Sequence, residues 1–208
     1  MKVIVVTDCS RFSDLPRALR HYSQVLAHHA VTSLVLREQG MPFAEYRECC
    51  RTLAEAGPGK VIAHAGSIHS MSDMRTLVGD GTVAGVHWSR ATLVSGRLLP
   101  THHTFDAIPF SYSAHSEAEA DDFLNAWLNA PFVFLSPIFP TPKPFAIQPL
   151  GLEYLHQWHG AGKRIALLGG ITRKHLPALI PFQPWGVGAI GAFVNHDWEE
   201  FLEAAQAI

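Results

Sequence analysis

One histidine stands where a strand is expected to end and a helix to begin, in the segment Ser-Ala-His-Ser. Ser113 and His115 both belong to this strand end. Imidazole is the side chain that most often takes and gives protons near neutral pH. The adjacent helix N-terminus would favour the neutral ring, which can accept a proton. We predict that His115 is a catalytic acid-base; the alternative is a surface or helix-capping histidine.

Glycines at two further strand ends could hold a phosphate. Gly169 and Gly170 follow an apolar run in Leu-Leu-Gly-Gly-Ile-Thr and precede a predicted helix. Backbone N–H groups at such a helix start suit an anion. Gly191 lies in a glycine-rich segment near the C-terminus, where a ligand could approach the backbone. We predict that these glycines bind a phosphate; the alternative is that they only make tight turns.

Polar and basic residues could complete such an anion site. The segment Ser-Pro-Ile-Phe-Pro-Thr-Pro-Lys presents Thr141 and Lys143 in a proline-bounded loop. Lys143 could meet an anion as a point charge, or could be a solvated loop residue. Arg37 ends another predicted strand and could bind a phosphate or carboxylate with two hydrogen bonds. The alternative for Arg37 is an internal ion pair with Glu38 or Asp8.

Two more histidines, His64 and His87, also end predicted strands. Together with His115 they could bind a metal ion. The sequence has no HxH or HExxH spacing, and the carboxylates that a hard cation needs are missing nearby. We therefore expect no metal site.

These residues all lie at the ends of predicted strands, and the strands alternate with predicted helices. Such alternation indicates parallel strands joined by right-handed crossovers. About 26 residues per unit is close to the minimum for a (β/α)₈ barrel, the α/β fold that we predict. An open doubly wound sheet is the rival, but no GxGxxG turn follows the first strand. Strands are predicted at 3–7, 33–37, 61–64, 83–87, 109–113, 132–136, 164–168 and 187–194; helices at 15–29, 43–56, 116–129, 150–160, 172–179 and 198–207; and short connections at 67–81 and 90–107.

Composition limits the class of protein. The chain has 208 residues, of which 48% are hydrophobic and 16% charged, which predicts one folded domain over residues 1–208. A net charge of −2 argues against nucleic-acid or membrane-surface partners, and no apolar run is long enough to span a membrane. Three cysteines without a CxxC pair and the lack of a signal peptide predict a cytoplasmic protein. The sequence leaves a homo-oligomer open.

Taken in order, several segments resemble the thiamine phosphate synthase/TenI superfamily over essentially the whole chain. They are LREQ (36–39), GVHWS (85–89), SYSAHSEAEA (111–120), LSPIFPTPK (135–143), LGGIT (168–172) and the glycine-rich eighth strand. The resemblance implies a compact (β/α)₈ barrel, in agreement with the strand count. The synthase joins an aminopyrimidine pyrophosphate to a thiazole phosphate, and Mg²⁺ with basic residues stabilises the departing pyrophosphate.

The chain departs from the synthase pattern where the metal would bind. Of the family's Gln-x-Arg-x-Lys at the second strand only Arg37 is present, and its Asn-Asp after the third strand corresponds to Ala63 and His64. The second metal aspartate falls in the stretch WSRATL, which has no carboxylate. His64 and Arg90 could replace the lost carboxylates. Ser113 matches the family serine; Lys143 approximates the family lysine, and Gly169 and Gly170 match its phosphate loop.

The TenI branch is more similar at the site, because its members also lack the metal aspartates and use a histidine in a Ser-x-His motif. The reaction implied is a thiazole tautomerisation, which needs a base and a phosphate anchor but no cofactor. His115 would be the base, with Ser113 beside it. Trp88 could stack on the heteroaromatic ring of the ligand.

We therefore predict a thiazole tautomerase that binds thiazole phosphate, and keep three alternatives. A divergent synthase would bind aminopyrimidine pyrophosphate as well and would need Mg²⁺. A binding or regulatory protein would keep the site without the chemistry. Another enzyme of sugar phosphates is the fourth hypothesis, because Asp8 and Cys9 follow the first strand and could act as an acid-base pair.

Overall fold

Eight parallel strands close into one barrel, in the order of the chain, in the computed structural model. The structure describes residues 1–94, 109–141, 148–194 and 197–207. The closed order confirms the predicted (β/α)₈ barrel and excludes the open sheet. The strands are β1 (Lys2–Val6), β2 (Val31–Leu36), β3 (Val61–His64), β4 (Gly85–Ser89), β5 (Phe110–Ala114), β6 (Val133–Leu135), β7 (Ile165–Leu167) and β8 (Gly186–Ala189).

Helices follow the strands around the outside of the barrel. They are α1 (Leu15–Ala27), α2 (Phe43–Ala56), α3 (Met71–Gly79), α4 (Arg90–Val94), α5 (Glu117–Ala126), α6 (Gly151–Leu155), α7 (Leu176–Leu179) and α8 (Trp198–Gln206). Among the described residues, no helix is long and apolar enough to cross a membrane.

Helix α3 corrects the prediction of a short connection over 67–81. The side chain of Ser70 accepts a hydrogen bond from the Asp73 N–H and so caps the helix. Met74 and Leu77 are fully buried one turn apart, which gives the nine-residue helix an apolar face. Packing of this face stabilises a helix that its short polar sequence does not predict.

Three other elements end at least three residues earlier than predicted, namely β8, α6 and helix α5, which ends at Ala126 instead of residue 129. Strand β8 ends at Ala189 because the chain turns into a 3₁₀ helix at Gly191–Phe193 instead of continuing to residue 194. Helix α6 ends at Leu155 instead of residue 160. Beyond it the Gln157 N–H donates to the Tyr154 carbonyl and the Trp158 N–H to the Leu155 carbonyl, so the chain continues in three-residue turns rather than in an α-helix.

The strands separate two apolar layers. Inside the barrel, buried side chains from alternate strand positions form the smaller cluster: Ile4, Val6, Val35, Ile62, Phe132, Phe134 and Ala166. The larger cluster lies between the strands and the helices. Because successive side chains of a strand point to opposite faces, neighbouring residues belong to different layers. This alternation decides which strand-end residues can reach the barrel mouth.

Candidate active site

A row of polar side chains crosses three neighbouring strands inside the barrel. His64, His87 and Ser111 are register partners on β3, β4 and β5. His87 is 3% exposed and places both ring nitrogens against hydroxyls: Nδ1 is 2.8 Å from Ser111 Oγ, and Nε2 is 2.8 Å from Ser113 Oγ. Its ring also packs against Phe132 and Phe134, which contact each other. The row therefore connects Ser113, at the strand end, to the closed interior.

His87 is held neutral by its surroundings. Burial lowers its pKa well below the ordinary value, and the nearby His64 and the positive charge of Arg37 lower it further. His64 accepts a hydrogen bond from the Gly66 N–H at its Nδ1, at 3.0 Å. The two rings lie 5.7 Å apart, between centroids. A second positive charge next to Arg37 would be costly, so the imidazole of His87 stays uncharged at neutral pH.

Trp88 lies where it cannot take the stacking role that was considered for it. It follows His87 on β4 and therefore points the other way, into the layer between strands and helices. The side chain is fully buried there and packs edge-on against Phe110. A ligand at the barrel mouth has no access to it.

His115 is oriented by a carbonyl. Its Nδ1 lies 2.7 Å from the carbonyl oxygen of Ser136, which follows β6. A carbonyl oxygen only accepts hydrogen bonds, so Nδ1 must carry a proton, and in the neutral ring Nε2 then carries the lone pair. Among the described residues, Nε2 has no hydrogen-bond partner. The half-buried ring therefore offers a base to its surroundings.

The first turn of α5 fixes the backbone of His115. The carboxylate of Glu119 accepts hydrogen bonds from the His115 N–H, at 2.8 Å, and from the Tyr112 hydroxyl. Ser116 caps the helix by accepting from the Glu119 N–H. Burial and the hydrogen bond to Glu119 raise the pKa of Tyr112, so this phenol remains a donor. One carboxylate thus ties the end of β5 to the start of α5 on either side of His115.

Arg37 brings an uncompensated positive charge to the end of β2. In the described part of the chain no carboxylate lies within 4.0 Å of its guanidinium, so the predicted alternative of an ion pair with Glu38 or Asp8 is not found there. Its backbone N–H donates to Thr7 Oγ1 at 2.9 Å, which anchors the residue between β1 and β2. This half-buried guanidinium, whose charge lowers the pKa of His87, can attract an anion.

Glu38 is committed to the end of β1. Its carboxylate accepts from the Thr7 hydroxyl at 2.5 Å and from the Cys9 N–H at 3.1 Å. Burial and the negative charge of Glu38 raise the pKa of the Cys9 thiol, so the thiol stays protonated. Asp8 accepts from the Ser10 hydroxyl, and its N–H donates to Tyr22. These contacts explain Cys9 and Glu38 as structural residues and give no support to an Asp8–Cys9 acid-base pair.

Gly169 and Gly170 have a reason to be glycine that involves no ligand. Their φ angles are +100° and +65°, in the left-handed region. A Cβ on Gly169 would lie 2.6 Å from Pro137 Cβ, and one on Gly170 would lie 2.5 Å from the Pro140 carbonyl oxygen. The loop after β6 packs directly on the loop after β7, where the Phe139 N–H donates to the Gly169 carbonyl. The tight-turn interpretation therefore accounts for both positions.

Gly191 differs, because none of the described residues around it requires it to be glycine. It is exposed, has no positive φ, and a Cβ there would find no heavy atom within 4 Å. Open space at the end of β8 is compatible with the close approach of a ligand. Thr141 is half-buried in the loop after β6, while Lys143 lies outside the described residues.

No cluster in the described part of the chain fits a metal ion. Its histidine, cysteine and acidic side chains include no group of three that could bind one. Both ring nitrogens of His87 contact serine hydroxyls, and Nδ1 of His115 contacts a carbonyl. His64, His87 and His115 therefore do not form the metal site considered as an alternative above.

Three contributors were not predicted from the sequence. Ser111 could have been found, because it lies two residues before Ser113 and shares its face of β5. Glu119 was not among the predicted site residues, and its side chain accepts a hydrogen bond from the backbone of His115. The Ser136 carbonyl is a backbone group, and no side-chain pattern reveals it.

Comparison with known proteins agrees with this architecture. The family model described as thiamine monophosphate synthase matches residues 3–193. Thiamine phosphate pyrophosphorylase from Pyrococcus furiosus has a TM-score of 0.70 and 18% identity, over 99% of this chain and 94% of that one. The pyrophosphorylase from Bacteroides thetaiotaomicron has a TM-score of 0.61 and 20% identity, with the same coverage. A 3-hexulose-6-phosphate synthase has a TM-score of 0.64 and 17% identity, over 100% and 99% of the two chains.

These structural similarities, all at low identity, establish the barrel fold. No curated protein matches the chain. Membership rests instead on the family model, which extends from β1 into the turn after β8 and so includes every strand of the barrel. The chain belongs to the thiamine phosphate synthase/TenI family.

Proposed function

We propose that the protein is a TenI-like thiazole tautomerase, which acts on a thiazole phosphate without a metal ion. The observation that carries the proposal is the hydrogen bond from His115 Nδ1–H to the Ser136 carbonyl. It leaves the lone pair of Nε2 as the basic site of a half-buried imidazole. A base held in one tautomer is what carbon acid chemistry at neutral pH requires.

In the proposed reaction His115 moves one proton. Nε2 removes a proton from one carbon of the thiazole ring, and the electron pair of that C–H bond shifts into the ring. The imidazolium, or water after exchange, then returns a proton to another carbon, so that substrate and product are isomers. The Ser136 carbonyl lies next to the imidazolium that forms, and it stabilises this ring by accepting from Nδ1 throughout.

The phosphate of the ligand would be held away from the reacting carbon. Arg37 supplies a positive charge without a carboxylate partner in the described residues. Gly191 leaves open space at the end of β8, and Gly169 and Gly170 form the turn after β7. Thr141, in the loop after β6, belongs to our proposed anion site, and Lys143 is assigned to it from the sequence alone. Loops after the seventh and eighth strands are the usual phosphate site of such barrels.

The second candidate is a synthase, which the description of the matching family model favours. It would bind aminopyrimidine pyrophosphate together with thiazole phosphate and Mg²⁺. Mg²⁺ prefers carboxylate oxygens, but the positions expected to supply them hold Ala63, His64 and the stretch 88–93, without a carboxylate. The described residues do not fit the metal, and exposed Arg90 offers no substitute ligand because guanidinium has no lone pair to give.

Replacement of His115 by Asn tests the proposal. The Asn amide can still donate to the Ser136 carbonyl but cannot take a proton, so turnover should fall at least about 100-fold. Affinity for thiazole phosphate should change less than about threefold. Turnover is measured by NMR in D₂O, as isomerisation and as deuterium entering the ring. His159→Asn is the matched control, because His159 is exposed and lies beyond α6. Unchanged turnover in His115→Asn would refute the role.

A second assay separates the candidate functions. The protein is mixed with aminopyrimidine pyrophosphate and thiazole phosphate, with either Mg²⁺ or EDTA. We expect no thiamin phosphate in either mixture. Thiamin phosphate that forms only with Mg²⁺ would establish the synthase. Tight binding of thiazole phosphate without turnover in either assay would establish a binding protein.

A further inference from the structure

The side chains buried behind Ser113 determine in which direction its O–H group points. We propose that Ser111 and His87 orient Ser113 so that its O–H donates to the ligand, which must then present a hydrogen-bond acceptor. The ligand's part in this rests on the proposed function, whereas the orientation belongs to the free protein. Ser111 and His87 are positioning residues, because they act through Ser113.

The orientation of the Ser113 hydroxyl depends first on Ser111. This serine is fully buried inside the barrel, and His87 Nδ1 at 2.8 Å is its only hydrogen-bond partner in the described part of the chain. A buried hydroxyl that does not donate loses the hydrogen bond it makes to water in the unfolded chain. The Ser111 O–H therefore donates to Nδ1, and Nδ1 must carry a lone pair.

The imidazole of His87 links the hydrogen bond of Ser111 to the orientation of Ser113. A neutral histidine has one N–H and one lone pair, so accepting at Nδ1 places the proton on Nε2. Nε2–H then donates to Ser113 Oγ, 2.8 Å away. The oxygen of Ser113 is occupied on that side, and its own proton points elsewhere. Ser113 is half-buried at the strand end, so this proton is available to a ligand.

The other two states of His87 are disfavoured. Both the Nδ1–H tautomer and the imidazolium would aim an N–H at the Ser111 oxygen and leave the Ser111 proton without an acceptor among the described residues. Because each of these two states lacks the buried hydrogen bond that Ser111 donates, the Nε2–H tautomer is favoured over the Nδ1–H tautomer by about tenfold. Around the ring, His64 from β3 and Arg37 after β2 oppose a positive charge, while Phe132 and Phe134 from β6 give it no counter-charge.

The side chains of Ser113 and His115 therefore have opposite hydrogen-bonding roles at the end of β5. Ser113 donates a hydrogen bond, while Nε2 of His115 accepts a proton. A ligand that fits both must place an acceptor, such as a phosphate, carboxylate or ring-nitrogen lone pair, against Ser113. It must place the proton to be removed against His115. This arrangement specifies the polarity of the substrate at two points.

The tautomer of His87 can be measured without ligand or turnover. Ligand-free protein with ¹⁵N-labelled histidine is studied by long-range ¹H–¹⁵N correlation NMR, and His87 is assigned by the loss of its signals in His87→Gln. We expect the pattern of a neutral Nε2–H ring, unchanged between about pH 5.5 and pH 8. An Nδ1–H pattern, or an imidazolium in this range, would overturn the proposal. A failed tautomerase assay would leave this result standing, and the reverse is also true.

Ser111→Ala tests the origin of the direction. Without the Ser111 hydroxyl, Nδ1 loses its donor, and the Nδ1 resonance of His87 should shift towards that of a free lone pair or the Nδ1–H tautomer should appear. Ser67→Ala is the matched control, because Ser67 is equally buried but bonds to Glu38 rather than to His87. An unchanged His87 spectrum in Ser111→Ala would contradict the proposal.

Discussion

At the scale of single residues, Arg37 lies at the end of β2 and its side chain makes few contacts. Its backbone is fixed by Thr7, but its guanidinium has no carboxylate partner in the described residues. A charge without an ion-pair partner in the described residues, close enough to His87 to lower its pKa, suits the recognition of an anion. We therefore assign Arg37 to ligand binding rather than to folding.

Replacement of Arg37 by Gln should weaken binding of thiazole phosphate about tenfold to 100-fold, since a hydrogen bond to a charged group contributes about 1.5–3 kcal/mol. The free energy of unfolding should change by less than about 0.5 kcal/mol. Calorimetric titration and urea unfolding measure the two quantities.

Arg47→Gln is the control for Arg37→Gln. It removes an arginine that binds Asp80 at the surface of α2, at 2.6 Å. Affinity should stay at the wild-type value in this variant. If Arg37→Gln kept full affinity but lost several kcal/mol of stability, Arg37 would be a structural residue.

Sequence reasoning succeeded for side chains at strand ends and failed where the direction of a side chain matters. His87 and Trp88 are neighbours and were both candidates, yet one lies inside the barrel and the other outside it. In an uninterrupted apolar strand the sequence does not show which residues point into the barrel, because both faces of the strand are buried. Only the register of β3, β4 and β5 identifies the inward face and, with it, Ser111.

At the scale of elements, the loop after β7 carries two glycines for packing, and the turn after β8 carries one without such a need. A methyl group on Gly170 would collide with the loop after β6, and the residue carrying it would have to keep a left-handed backbone. A methyl group on Gly191 would meet none of the described atoms within 4 Å. The same substitution in these two turns therefore separates structural from functional glycines.

Gly170→Ala should lower the free energy of unfolding by at least about 1–2 kcal/mol, because a non-glycine residue in the left-handed region is strained even before the collision. Gly191→Ala should leave stability within about 0.5 kcal/mol of wild type and weaken binding of thiazole phosphate. Urea unfolding and calorimetric titration measure both variants. Equal losses of stability would contradict the distinction, and full affinity in Gly191→Ala would remove Gly191 from the anion site.

The elements themselves follow the sequence where local and packing signals agree. Helix α2 has the predicted bounds, since its buried face is regular and Gly57 follows it. Helix α3 was missed because its stability comes from two buried residues and a serine cap rather than from a long apolar stripe. Strand β8 was predicted too long because glycine, alanine and valine continue past the point where the chain turns.

At the scale of the whole molecule, the barrel keeps the titratable side chain of His87 in its interior and holds it neutral. The unfolded chain exposes His87, which then takes up a proton near its ordinary pKa of about 6.5. In the folded barrel, burial, His64 and Arg37 lower that pKa well below this value. Below about pH 6.5 the unfolded state therefore binds one more proton than the folded state.

Stability should consequently fall as the pH falls, and His87 should be a main cause. Between pH 6.5 and pH 5.5 its contribution to the free energy of unfolding falls by about 1 kcal/mol, and the limiting slope is about 1.4 kcal/mol per pH unit. His87→Gln keeps a donor and an acceptor for Ser111 and Ser113 but removes the titration, so its stability should depend less on pH by this amount. His159→Gln, at the exposed site, should keep the wild-type dependence. Urea unfolding at both pH values measures the difference, and equal slopes in wild type and His87→Gln would show that the interior row does not control the stability of the barrel in acid.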